Sequence, residues 1–330
     1  MNTMTIKSGQ VFSEAKPGEV LSYLKGLDRR TIVTSPHKLK LSNKVNKKSD
    51  QIFLEIRNGT TTHYPIRRSF LLKLMRWYHL TELVISKLSP DTIVAVGNDF
   101  LSHIRSGSVT IKTENGDALT ILSPRYSEFT DAELLEICRD KFNAEKVSRD
   151  DFAMRVFSKE IFKTQPVKGD DCGFGFNIFN SETGFMAIRV AHYIYRYWCS
   201  NGAIAGIQGM RESMYHYGQP KEKIKEFINE SITKIEEGRG ELIKKMMESR
   251  EKQALDRIKQ VMMRLRPIVG LAESTNLMKE FTEYAEGRSG GTEYTDSMYS
   301  LFNFITHNAK ERPLIQQTQM EELAGGLIWG

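Results

Sequence analysis

The run from Cys172 to Gly206 limits the possible fold more than any other stretch. Phe174, Phe176 and Ile178 alternate with Gly175, Asn177 and Phe179, the period-two pattern of a strand. Asn180-Ser181-Glu182-Thr183-Gly184 is turn chemistry, with Gly184 able to take a positive φ. A second run goes from Phe185 to Trp198. Read as a strand, it puts Met186, Ile188, Val190, His192, Ile194, Arg196 and Trp198 on one face. Ala187, Arg189, Ala191, Tyr193, Tyr195 and Tyr197 fall on the other. Aliphatic residues opposite tyrosines and an arginine predict a sheet with one buried face and one working face. Ile188, Ala191, Tyr195 and Trp198 are also helix-spaced, but the crowding of aromatic and β-branched residues favours the strand. Cys199-Ser200-Asn201-Gly202 closes the run with a turn.

The rest of the chain supplies partners for such a sheet. Asn115-Gly116 between Val109–Thr113 and Ala118–Leu122 is a strong hairpin signal. Thr130-Asp131-Ala132-Glu133 reads as a capping box opening a helix through Leu134, Ile137, Cys138 and Phe142. Residues 1–16 read as poorly ordered and Pro17–Leu27 as a short helix. Thr31–Ser35, Gln51–Arg57, Thr92–Val96 and Phe152–Phe162 read as strands, with a turn at Asn58-Gly59. Arg67–Leu88 reads as one helix, stopped by Ser89-Pro90-Asp91. Beyond Pro220, Ile224, Phe227, Ile228, Ile232 and Ile235 keep helical spacing, as do Leu242, Met246, Leu255, Ile258, Met262 and Leu265 up to Pro267. This is a helical hairpin or long amphipathic arm, packed on the sheet or on a neighbouring subunit. Ser274–Ala285 and Thr295–Asn308 are further helices. The expected fold is α+β: an antiparallel sheet core with packed helices over 1–218, and a C-terminal helical region over 219–330.

Hydrophobic residues make up 40% of 330 positions, enough for a sizeable core. No run approaches a membrane span, and MNTMTIKSGQ has no apolar signal core, so a cytoplasmic protein is expected. Cys138, Cys172 and Cys199 are too far apart in sequence for a CxxC site, which argues against zinc or a disulfide framework. The net charge of +6 is unevenly placed: His37–Lys48 holds Lys38, Lys40, Lys44, Lys47 and Lys48 without an acid. Such a cluster suits phosphate contacts, though a solvated loop has the same composition.

The chain has no GxxxxGK[ST] phosphate loop, no complete GxGxxG, and no histidines paired at metal-ligand spacing. Asp170-Asp171 is the one site where a divalent ion could be imagined, and such a pair is more often a loop before a strand. Cys199 beside Ser200 and Asn201 lacks a visible histidine partner, and His192 falls on the apolar strand face, as a hydrogen-bonded core residue would. No catalytic residue, metal ligand or cofactor is assigned. The row Tyr193, Tyr195 and Tyr197 with Arg189 could stack bases while arginine and lysines take phosphates. A covering helix or subunit would make the same row core.

Asn180-Ser181 before the turn, with Arg196-Tyr197-Trp198-Cys199-Ser200-Asn201-Gly202 at the strand end, resembles the phage/plasmid-like protein family (domain of unknown function 932). Ile121-Leu122-Ser123-Pro124-Arg125-Tyr126 and Leu301-Phe302-Asn303-Phe304-Ile305-Thr306 resemble two flanking elements of that family, with Phe304 in place of its usual small residue. The likeness spans roughly residues 105–310. It implies no settled activity, only a place on phages, plasmids and related mobile elements, often among DNA-processing genes. The expected function is non-catalytic nucleic-acid binding, single-stranded DNA favoured, in recombination or annealing by a homo-oligomer. The expected interface is Lys38, Lys40, Lys44, Lys47, Lys48, Arg189, Tyr193, Tyr195 and Tyr197. The alternatives are a metal-dependent enzyme acting on DNA or nucleotides through Asp170 or Asp171, and a protein that inhibits a host factor.

Overall fold

The structure is a computed structural model that describes residues 8–43, 51–158, 162–167, 170–196, 201–204, 211–288 and 295–329. The chain opens with β1 (Phe12–Ala15), α1 (Pro17–Lys25), β2 (Arg29–Thr34), β3 (Leu39–Ser42), β4 (Phe53–Asn58) and β5 (Thr60–Pro65). Helices α2 (Arg68–Arg76), α3 (Glu82–Ile85) and α4 (Pro90–Ser102) lead to the hairpin β6 (Val109–Glu114) and β7 (Asp117–Leu122), then α5 (Asp131–Phe142). Strands β8 (Ala144–Arg149), β9 (Met154–Ser158), β10 (Phe162–Val167), β11 (Asp170–Asn180), β12 (Ile188–Arg196), β13 (Asn201–Ile204) and β14 (Arg211–Met214) come next. Helices α6 (Lys221–Glu237), α7 (Arg239–Glu248), α8 (Ile258–Val269), α9 (Leu271–Ala285), α10 (Met298–Ala309) and α11 (Leu314–Trp329) complete it.

The fold is α+β, as the turn chemistry and strand alternation predict. An eight-stranded antiparallel sheet runs β1-β8-β9-β11-β12-β13, with β10 also on β11 and β14 also on β12. Two three-stranded sheets, β2-β6-β7 and β3-β4-β5, lie beside it. The central pair is antiparallel, with Phe174 opposite Ile194, Phe176 opposite His192 and Ile178 opposite Val190. The strand reading of this run is therefore the right one. Gly184 (φ +73) ends the connecting turn and Asn115-Gly116 (φ +51, +81) makes the β6–β7 turn. Thr130 and Glu133 form the reciprocal capping box at the start of α5.

One face of the large sheet is covered in two patches. Phe176, Ile178, Ile188 and Val190 pack under Val20, Leu21 and Leu24 of α1, Leu134 and Cys138 of α5, and Ile224, Ile228 and Ile232 of α6. Cys172, Phe174 and Ile194 pack under Leu242 and Met246 of α7 and Val261, Met262 and Leu265 of α8. The 220–265 region thus packs back on its own sheet, and the two hydrophobic cores both run across residue 218.

Several local expectations are corrected. The helix expected over 67–88 stops at Arg76, because His79 turns left-handed (φ +59) and the Tyr78 ring stacks 3.8 Å from Phe100. The strand expected at 92–96 is inside α4. Ser89 caps that helix by accepting from Thr92 N, and Pro90 sits at its first turn, where a missing N–H costs nothing. Part of the supposedly unordered N-terminus, Phe12–Ala15, is an edge strand on β8. Strand β5 and helix α11 were not anticipated. β5 is largely exposed and shows no alternation. α11 buries Leu314, Met320, Leu323, Ala324, Leu327 and Ile328 together with polar Thr318 and Glu321, so its buried face is not a purely apolar stripe.

Candidate nucleic-acid interface

Two arginines begin α2, and they face opposite environments. Arg67 precedes the helix and is 3% exposed. Its guanidinium meets Glu114 at 2.8 Å, Asp151 at 3.0 Å and Asp117 at 3.4 Å. Arg149 meets Asp131 at 3.0 Å and Glu114 at 3.3 Å, and Arg29 bridges Glu114 and Glu182 at 2.9 Å each. Three guanidiniums thus share five carboxylates. Burial alone would raise the Glu114 pKa, but Arg149, Arg29 and Arg67 hold it below the ordinary value. Asp131 goes the other way, to about 6, through burial and then repulsion by Glu182. Gly9 closes the network by donating its N–H to Asp151 at 2.8 Å. A Cβ there would come within 2.5 Å of Asp151 and Arg67 atoms.

The 180–184 turn joins this network to the surface. Asn180 Nδ2 donates to Asp131 at 2.9 Å. Ser181 Oγ donates to the Phe152 carbonyl at 2.6 Å and accepts from Phe185 N at 2.9 Å. Thr183 Oγ1 also donates to the Phe152 carbonyl, and the Tyr126 hydroxyl donates to the Ser181 carbonyl. One serine therefore fixes the backbones of Phe152 and Phe185, whose rings meet edge to face at 5.0 Å.

Across these rings lies the outer face of α2. Arg68, Leu72 and Arg76 stand at i, i+4 and i+8 and line a cleft of about 440 Å³ with Phe152 and Phe185. The Arg68 guanidinium stands 6.0 Å from the Phe152 centroid and Arg76 stands 5.3 Å from that of Phe185. Lys73 donates to the Gly184 carbonyl at 2.5 Å. Its burial, with Arg76 beside it, lowers its pKa to about 8. Arg68, Asp150, Phe152 and Pro313 also wall a second depression of about 260 Å³, which adds Lys310 and Arg312. Those two cations in turn border a third, with His307 and Asn308. The three adjoin through these shared residues, along a groove from α2 to the α10–α11 elbow.

The described residues of the expected interface lie apart from this groove. Lys38 and Lys40 are exposed at the start of β3, and Lys44, Lys47 and Lys48 lie outside the described residues. Arg189 pairs with Glu322 of α11 at 2.5 Å. Tyr193 is a correction: it is 4% exposed, edge-on to Phe157 at 5.2 Å and 5.0 Å from the Arg155 guanidinium. Arg155 is fully buried and pairs with Glu321 of α11 at 2.5 Å. At Arg189 and Tyr193 this face is therefore closed off, and both Arg189 and the Arg155 beside Tyr193 pair with α11, a helix that sequence reasoning missed. Tyr195 pairs through its backbone with Gly173 and Gly202. Its side chain, and all of Tyr197, Cys199 and Ser200, lie outside the described residues. Asp171 is exposed and accepts from Gln165 at 2.9 Å. His192 is buried against Phe176, as a core residue.

The groove residues had a legible signal that an apolar count overlooks: cation, apolar, cation at a four-residue spacing along α2. No helix among the described residues is long and apolar enough to cross a membrane. No family model, curated protein or solved structure matches the chain.

Proposed function

We propose that this protein binds single-stranded nucleic acid, without catalysis, along the groove between α2, the 150–153 turn and the α10–α11 elbow. The observation that carries the reading is the pairing of Arg68 and Arg76 with Phe152 and Phe185 at the open mouth of a cleft. Cations neutralise phosphates, and aromatic faces stack bases of any sequence. Lys310 and Arg312 extend the positive path, with Arg312 already paired to Glu273. The likeness of Asn180-Ser181 and its flanking elements to a phage and plasmid family supports a mobile-element role in recombination or annealing, in the cytoplasm. Exposed Met247 and Met263, on α7 and α8, offer adaptable surface for self-association.

Binding of a labelled single-stranded oligonucleotide, measured against salt, tests the reading. For three engaged cations the log–log slope is about −2, at roughly −0.7 per phosphate. Absence of retention at about 50 mM salt, where such contacts are weakly screened, refutes it.

A further inference from the structure

We infer that the first depression of the groove is a nucleobase pocket, taking one base turned out of the stack while Arg68 and Arg76 hold the backbone on either side. The inference rests on the proposed function and names what part of the strand the site reads. Arg68 and Arg76 are eight residues apart on one helix, about 12 Å along its axis. Leu72 lies midway between them, so the cations flank an apolar floor. Leu80 and Ile315 continue that floor, and Phe152 and Phe185 supply aromatic surface. The volume of about 440 Å³ accommodates a nucleoside. A phosphate does not suit the interior, because Asp150 lines it. Asp150 Oδ1 accepts from Phe152 N at 2.8 Å and Ala153 N at 3.0 Å. Its Oδ2 takes no hydrogen bond among the described residues, which leaves an acceptor for the N–H edge of a base. Apolar floor, aromatic walls, an acceptor inside and cations outside match a nucleotide unit within a strand.

The experiment compares a single-stranded oligonucleotide with an abasic phosphodiester chain of the same length, both titrated with the full chain. The base-bearing strand should bind at least about ten-fold tighter, within the range of one stacked base. Phe185→Ala should collapse that ratio toward one. Ile315→Gln, at a half-exposed wall position, is the second variant should Phe185→Ala fold poorly, and it should reduce the ratio in the same direction. Equal affinity of the wild-type chain for both strands overturns the pocket but leaves the groove standing. A ratio unchanged in both variants also overturns it. If neither strand binds, the groove reading itself fails and the pocket falls with it.

Discussion

Arg67 is 3% exposed among Glu114, Asp117 and Asp151, whereas Arg68, the next residue, stands at the surface over the Phe152 ring. The first belongs to a network where removing water from each ion costs several kcal/mol, so any member becomes a liability without its partners. The second is exposed at the mouth of a groove, where solvent screens its charge. Two residues of one type, adjacent in sequence, thus stand in a buried ion network and at an open groove, respectively. The 180–184 turn connects these regions, since Asn180 bonds inward to Asp131 while Ser181 sets Phe152 and Phe185 at the surface.

Removing each arginine in turn should separate the two environments most widely. Arg67→Met leaves Glu114 and Asp151 short of a cation and should cost about 3–5 kcal/mol of stability, the usual result of breaking a buried pair. Arg68→Met should stay within about 0.5 kcal/mol. Urea unfolding of both variants gives the answer. Equal midpoints would show that the buried network is not what stabilises the junction of the sheets.

A smaller effect separates two buried groups by pH. His216 lies against Tyr126 at 4.7 Å, and neither ring nitrogen has a hydrogen-bond partner among the described residues. Burial first, then Lys112 and Lys73, lowers its pKa to about 4. The folded state therefore holds this proton more weakly than the unfolded chain, whose value is near 6.5, and stability is lost as pH falls from about 6.5 toward 4. The full loss is about 3 kcal/mol. Asp131, raised to about 6 by burial and then by Glu182, acts oppositely. Its contribution is present below about pH 4 and lost as pH rises through 6, so the two partly cancel in the wild type. His216→Phe removes one of them. The stability difference between variant and wild type should move in the variant's favour by about 2–3 kcal/mol from pH 7 to pH 4. A difference independent of pH would mean that His216 is not held neutral by its surroundings.

Period-two alternation, Asn115-Gly116 and the Thr130 capping box made the sheet core readable, because those signals are local. What was lost depended on contacts distant in sequence. Tyr193 looks like a surface stacker until Arg155 and Arg189, on the same sheet face, are seen to pair with Glu321 and Glu322 of α11, and α11 conceals itself by burying polar Thr318 and Glu321 beside its apolar residues. Pro90 can stop one helix or start another, and the Ser89 cap on Thr92 N makes it a start. The groove is assembled from α2, the 150–153 turn, Phe185 and the α10–α11 elbow, which no sequence window brings together. Only the Arg68–Leu72–Arg76 row could have been found by reading, by counting cations as well as apolar residues at helical spacing.

The finest distinction is between the groove and the lysine-rich segment. Arg76 is exposed, over an aromatic ring and beside the cleft, and its planar guanidinium can bind phosphate bidentately and stack at once. Arg76→Ala should weaken oligonucleotide binding by about 1 kcal/mol and flatten the salt slope by about 0.7, one phosphate contact. Lys40 is exposed on a different sheet, β3-β4-β5, with Lys38 exposed in the turn just before it, and no aromatic stacking partner is described for either. Lys38→Ala with Lys40→Ala should therefore change affinity less than Arg76→Ala does, and at about 0.15 M salt the effect should approach zero as screening sets in. Salt titrations of the wild type and these two variants, on one oligonucleotide, place them in order. Should the lysine pair flatten the slope more than Arg76→Ala, the strand runs over β3 and not along α2, and Arg76 serves only to pack against Phe185.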